Sequence, residues 1–531
     1  MKTLSLFAVT MLVVSFLTAP IVIAQPIGRP PERLGKVSFA NSCAPAVQDE
    51  FTRAVALLHS FWWQQGEKAF RQVLDQDPSC AIAAWGIASI LIGNVFATGP
   101  TSASAERAKE TINRGRASGT KTERERAFIV AVAQYYEGFA QRPHGTRIKA
   151  LSEAFQALAK RFPEDDEAQI FSALYLTATQ SPGDKTFAAA LRAASNLEEQ
   201  FSKHPDHPGV AHYLIHAYDY PPIAHKGLTA ARRYSEIAPS AAHALHMPSH
   251  VFTRVGAWQE SAATNERSAA VAKAENEPID RLHAMDYMAY AYLQLGRDAD
   301  AKRVVEEAPQ VAGVNPANRG GPYALAAIPA RYAVERSAWR ETARLQPKRS
   351  WFPFTEAMSH FARAVGAARS GDPVAAERDV HELTRLIEAL QAATDSYWTR
   401  EVEVQRLGAA AWVAFAKGQR NEALGLMRAA ADLEDKSEKA ALSPGRIVPA
   451  RELLGDMLVE SGRLSDALAE YERSQVTDPN RYRSLYGAGH AAALAGNADK
   501  ARYYFSRLME LAGSGEPRPE TQQAKRYLKS N

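Results

Sequence analysis

An echo at a fixed interval near the C-terminus constrains the fold of this chain more than any other feature. Gly455, Gly462, Ala467 and Tyr471 are followed 34 residues later by Gly489, Gly496, Ala501 and Phe505, with Asp478 and Pro479 between the two sets. A period of this order marks an array of small supersecondary units, each of which buries its apolar face only against its neighbours. Between the punctuating glycines the pattern is helical almost throughout, Ala-rich and apolar at i, i+3 and i+4, and no stretch reads as a strand. The spacing has a physical logic. Small residues let the two helices of a hairpin approach closely, the aromatic fills the gap between hairpins, and Pro ends the second helix.

These residues resemble the tetratricopeptide repeat. Other stretches fall into the same register: Phe61 to Trp63, Phe70 and Asp77-Pro78 end a first hairpin, and Trp85, Gly86 and Gly93 begin a second. Phe162-Pro163 and His204-Pro205 precede further units, Gly256 and Gly296 mark two more, and weaker ones carry Gly371 and Gly418. The resemblance covers most of 47–511 and implies an all-α solenoid of roughly nine or ten stacked hairpins. It fixes a scaffold and leaves the ligand open, because one fold serves many functions.

The division of the chain follows from local composition. Residues 1–24 read as an export signal: Lys2, an apolar run from Leu4 to Ile23, and Ala24 before Gln25. The competing reading is an uncleaved membrane anchor. Residues 25–46 are rich in Pro, Gly and Arg near their start and read as a disordered leader. An N-terminal array over 47–308 precedes an irregular linker at 309–321, a C-terminal array over 322–512 and a polar tail at 513–531. Once the signal is removed no segment is apolar enough to span a bilayer, so the expected address is the periplasm or the exterior. Two cysteines, Cys43 and Cys80, permit one disulfide in such a compartment, the alternative being two buried thiols. With 63 basic against 59 acidic residues and no Lys/Arg stripe, nucleic acid is not the indicated partner.

Nine of the 14 histidines lie between Ser202 and Tyr292. His212 and His246 are 34 residues apart, as are His216 and His250. Under the resemblance, the positions that line the concave groove are His212, His216 and Asp219 in one unit, His243, His246, His250 and Arg254 in the next, and His283, Asp286 and Tyr290 in the third. Spacing alone points the same way, since the i, i+3 and i, i+4 pairs each share a helix face. Stacked helices would then align His212 with His246 and Asp286, and His216 with His250 and Tyr290. The segment His243-Ala244-Leu245-His246-Met247-Pro248-Ser249-His250 also resembles one found in a group of exported bacterial tetratricopeptide proteins.

Imidazole suits Zn, Cu or Fe, which makes His212, His216, His246, His250 and Asp286 the candidate ligands, with Asp286 or Asp219 either an oxygen ligand or an outer partner that fixes a tautomer. Two other readings stay open: a polar groove in which the rings bond carbonyls and tyrosines, and proton transfer. The metalloprotease motif is absent because no Glu follows the first His of either pair. Pro248 should interrupt its helix and re-aim the rings around it. His204, His207 and His225 flank loops and read as surface residues. The sequence therefore suggests an exported scaffold, a binder rather than an enzyme, holding a protein, peptide or small ligand in a histidine-lined groove. Its rival is a transition-metal protein built on the same cluster.

Overall fold

The computed structural model describes residues 32–97 and 99–530, so the export signal and residues 25–31 of the leader lie outside the described residues. Among the described residues all regular structure is helical, with no strand. Successive helices pair as antiparallel hairpins from Gln48–His59 with Trp63–Gln76 to Tyr482–Leu494 with Ala498–Ala512. There are twelve such pairs among the described residues, more than the nine or ten that the glycine and aromatic signatures count. Some units are degenerate, such as the one whose second helix is only Trp339–Thr342. The all-α solenoid of tetratricopeptide-like hairpins is therefore the fold of this chain.

The repeat signature acts as its chemistry suggests. Gly455 lies against the Tyr471 ring and Gly489 against the Phe505 ring, where an added Cβ would come within 2.7 Å of each. Ala467, Ala488 and Ala501 are fully buried at the helix crossings. The same close packing brings Gly209 against His59, an approach that the candidate site depends on.

The leader differs from expectation. Residues 33–44 are not a loose tail but an extended strap across several hairpins. The Arg33 amide donates to Ser240 Oγ, the Lys36 amide donates to the Asp206 carbonyl, and the Ser42 hydroxyl donates to Glu125. Leu34, Phe39 and Cys43 are buried, and the Phe39 ring stacks on Trp85 with centroids 4.9 Å apart. Burial of these apolar side chains outweighs the Pro- and Gly-rich composition that precedes them. Cys43 is bonded to Cys80, which pins the strap to the turn before helix Ala83–Ile92.

The C-terminal end of the array turns back onto the middle. Gly256, with φ 69°, sits so close to the next layer that a Cβ there would lie 2.4 Å from the Pro479 carbonyl oxygen. Trp258 Nε1 donates to the Asn480 carbonyl at 2.7 Å, and Arg518 pairs with Asp298. Residues 311–319 are irregular, yet the core runs across them, with Leu282 and Leu293 packed in one cluster with Ala324 and Ile328. Past 513 the chain forms another helix, Pro519–Ser530, with Ala524 buried. Among the described residues no helix is long and apolar enough to cross a membrane.

The strap supplies a prediction. Cys43 and Cys80 close a loop of 37 residues, so their removal should cost about 2–4 kcal/mol by freeing the unfolded chain. Urea unfolding of the C43A/C80A double variant, or of reduced protein, should show a lower midpoint. An unchanged midpoint would mean that the strap contributes no constraint.

Candidate metal centre

Three successive first helices carry the histidines inward. Helix Pro208–Tyr218 opens with Pro208 at its first position, and His207 caps it by accepting the Val210 amide. Its His212 and His216 are one turn apart on one face. The next first helix is split by Pro248 into Ala242–His246 and Pro248–Val255, because the proline has no N–H to continue the ladder. His243 and His246 lie before the break and His250 after it. Helix Pro278–Gln294 carries His283.

These six rings fall into two triplets, His212 with His216 and His243, and His246 with His250 and His283. In each, one nitrogen from every ring lies within 4.8 Å of the others. The triplets adjoin, since the rings of His216 and His250 are 6.1 Å apart and so are those of His243 and His246. His212, His216, His246 and His250 are 0%, 6%, 2% and 2% exposed, while His243 and His283 are half-buried. The rings therefore do not line an open groove. They form an interior site with one half-buried ring in each triplet.

Hydrogen bonds on the far side of the rings decide which nitrogens carry protons. His246 Nδ1 is 2.7 Å from Asn265 Oδ1. The Asn265 amide nitrogen donates to the Ser261 carbonyl at 2.7 Å, so its oxygen must face the ring and Nδ1 must be the donor. His250 Nδ1 donates to Asp219 Oδ2 at 2.8 Å, and His212 Nδ1 donates to the His59 carbonyl at 2.7 Å. A neutral imidazole has one proton, so the Nε2 atoms of all three rings are bare lone pairs. Yet His246 Nε2 and His250 Nε2 face each other at 3.1 Å. The Tyr287 hydroxyl lies 3.4 Å from His250 Nε2 and donates to the Ser443 carbonyl. Two lone pairs at this distance repel unless a cation lies between them. Nitrogens sharing one tetrahedral ion at about 2.0–2.1 Å stand about 3.3 Å apart, close to the separation here. In the first triplet His212 Nε2 meets His216 Nε2 at 3.2 Å, and His243 Nε2 is buried with no hydrogen-bond partner among the described residues.

Protonation is disfavoured throughout. Burial holds His212, His216, His243, His246 and His283 well below the usual imidazole range, and neighbouring imidazoles add to the shift. His250 is lowered too, by burial, with Asp219 working in the opposite direction. Burial alone would raise the Asp219 carboxyl, but Lys439 and Arg254 hold it well below its ordinary value. Lys439 is itself buried, which pushes its ammonium down to about 8. Aromatic rings wall the first triplet. Phe61 lies 4.4 Å from His212 and 5.4 Å from His243, and Phe96 stacks on His216 at 4.0 Å. Phe61 holds a left-handed φ of 53°, a strained conformation for an aromatic residue and one that the surrounding packing must support.

Several expected roles are corrected. Asp286 joins neither triplet: it is fully buried against Arg331, whose Nε donates to it at 2.9 Å. His283, one turn earlier, takes that place, its ring 4.3 Å from that of His246. Tyr290 does not adjoin His250; its hydroxyl accepts from Arg481, and Tyr287 occupies the position beside His250. His212 meets His243, at 5.0 Å, rather than His246. The interruption at Pro248 lies within this set of shifted pairings. Asp219 and Arg254 are bonded to each other at 2.9 Å behind His250. His207 is no surface residue, being 4% exposed and bonded to Glu167. His204 pairs with Asp166 at the surface and His225 is exposed.

A further cluster, His59, Glu167 and His207, is an outer layer rather than a second centre. Glu167 accepts from both imidazoles at 3.0 and 3.1 Å, and Tyr213 bonds the remaining nitrogen of His59 at 2.9 Å, so every ring nitrogen is used. This layer fixes His59, whose carbonyl orients His212. Sequence reasoning assigned no site role to His59, Asn265 or Lys439. Of these, Asn265 follows the His-Met-Pro-Ser-His segment that carries the resemblance.

No protein-family model and no curated protein sequence matches the chain. Among solved structures it is similar to a monomeric mutant of IFIT1 with Gppp-AAAA, at 13% identity over 81% of this chain and 90% of that one, with a TM-score of 0.40. It is similar to the human IFIT1 dimer with PPP-AAAA at 11% identity over 88% and 95% of the two chains, TM-score 0.40. A tetratricopeptide repeat protein from Parabacteroides merdae ATCC 43184 matches at 12% identity over 65% and 98%, TM-score 0.26. The ligands named with the IFIT1 structures belong to those proteins.

The buried neutral imidazoles make a prediction about acid. Above the ordinary value of 6.5 the rings are neutral in both folded and unfolded chains. As pH falls below it, the unfolded chain takes up protons that the native rings refuse, so stability is lost on the acid side. The urea midpoint of metal-free protein should hold above about pH 7 and fall steadily towards about pH 5.5. A flat midpoint across that range would contradict buried, neutral rings.

Proposed function

We propose that this chain is a transition-metal protein whose hairpin array encloses a pair of ions, one in each histidine triplet. The observation that carries the reading is the His246–His250 contact, where two Nε2 lone pairs converge at 3.1 Å with their protons committed elsewhere. A network of neutral rings does not account for that contact, because hydrogen bonding needs one donor between each pair of nitrogens. A coordinated cation does. The donors are all neutral imidazole, which selects among Zn, Cu, Fe and Ni rather than Mg or Ca.

The solenoid remains a scaffold of the kind that binds partners along its surface. The buried rings suit an ion or a small molecule better than a peptide. Export belongs to the same proposal. The apolar N-terminal run supports it, as does the Cys43–Cys80 bond, a cross-link that persists in oxidising compartments.

Metal content tests the reading. Protein loaded with Cu or Zn and then desalted should retain two ions per chain, as expected for two triplets. His246→Ala with His250→Ala should leave one, as should His212→Ala with His216→Ala. Because buried substitutions can unfold a chain, the half-buried rings give a second pair: H243A and H283A should each lower metal affinity by about 10-fold or more while helical circular dichroism is unchanged. Metal no higher than in a histidine-free control would end the proposal.

A further inference from the structure

The charge balance around the rings goes further than the ligand count. No carboxylate belongs to either triplet, and the carboxylates behind the second are matched or outnumbered by cations, Lys185 pairing with Glu438 as well. Asp219 lies between Arg254 and Lys439, at 2.9 and 3.3 Å, and Glu438 reaches Arg254 at 3.5 Å. Asp286 is neutralised by Arg331. Two divalent ions would therefore bring four positive charges into a buried site that supplies no net negative charge. Such a load is costly in a low dielectric. Dinuclear iron and manganese centres in helical bundles meet it with glutamates, which this site lacks.

Two features reduce the cost. A monovalent ion halves the charge, and copper is the imidazole-binding metal with a stable monovalent state as well as the highest divalent affinity of its row. On oxidation, an anion bridging the two ions would restore balance. Three nitrogens per ion leave coordination positions open, the arrangement found in reactive rather than structural sites. The triplets adjoin along the His216–His250 and His243–His246 borders, and Tyr287 and Lys439 supply a hydroxyl and an ammonium beside the second.

We infer that the two triplets act as one dinuclear copper centre that takes up dioxygen between its ions, an inference that rests on the metal-binding reading above. Starting from two cuprous ions, each copper gives one electron to dioxygen. The product is two cupric ions bridged by the two-electron-reduced, doubly negative dioxygen. No proton and no other reactant is consumed in the uptake. The bridging dianion offsets the charge that oxidation adds, in a site whose own side chains do not offset it.

The test uses full-length protein reconstituted with cuprous ion under anaerobic conditions, with copper per chain measured first. On exposure to dioxygen the wild type should take up one molecule for every two coppers and become coloured. Its cupric ions should be silent in electron paramagnetic resonance because the bridge couples their spins. His283→Ala, at a half-buried ring, should keep the first triplet's copper and give a full cupric signal once oxidised, with circular dichroism unchanged. Two coppers per chain that oxidise to a signal accounting for both would overturn the inference and leave the metal reading standing, as would two coppers that take up no dioxygen. Failure to hold copper would overturn both.

Discussion

Everything distinctive in this protein depends on three hydrogen bonds made on the outer edges of imidazole rings. Asn265, Asp219 and the His59 carbonyl each take the Nδ1 proton of a buried histidine, and so turn a bare nitrogen towards the interior. One such bond would be ordinary. Three of them come from partners in separate parts of the chain, and two of these leave the His246 and His250 lone pairs converging at 3.1 Å with no ring proton between them. The arrangement stores repulsion in the fold, and a bound cation would convert it into binding energy. The outer partners set the ligand by fixing tautomers, which is the usual division of labour around a metal.

The repeat architecture makes this possible at little cost to stability. A hairpin stack contributes one inward helix per unit at regular spacing, so histidines at repeating positions arrive side by side without any long loop. What the stack does not provide is closure. That comes from the C-terminal hairpins turning back on the middle of the array, where Pro479 and Asn480 press on Gly256 and Trp258. Lys439 and Ser443 also meet the centre, from the loop between Arg420–Glu434 and Ala450–Glu460. Arg331, which reaches from Asp286 to the Gly445 and Arg446 carbonyls, and the buried pair Arg481–Glu335 hold this closure. They are weak evidence for stability, but breaking one would strand a charge in the interior.

The spacing of 34 residues was enough to read both the helical stack and the alignment of His216 with His250, because it reflects the repeat itself. The ligand set was less legible. Ideal stacking selects Asp286 and Tyr290, whereas the helix broken at Pro248 brings its neighbour's His283 and Tyr287 to the rings. A proline's effect on helix direction is predictable in kind but not in angle. His59 and Lys439 lie 153 residues before His212 and 220 after Asp219, so no periodicity could connect them. His207 misled for a simpler reason: a histidine beside Pro208 looks like a loop residue, and the same Pro-His arrangement makes a buried helix cap.

The two triplets are not equivalent, and the difference bears on how a centre built from them would behave. The first is walled by Phe61 and Phe96, with His212 stacked on Tyr234 at 5.3 Å. One outer bond, to a neutral carbonyl, orients it. The second is held by an amide and a carboxylate and lies beside an ammonium and a guanidinium. The carboxylate behind His250 is offset by these two cations, while an aromatic wall carries no charge of either sign. A shared anionic ligand would therefore be drawn towards the second triplet, where Lys439 stands.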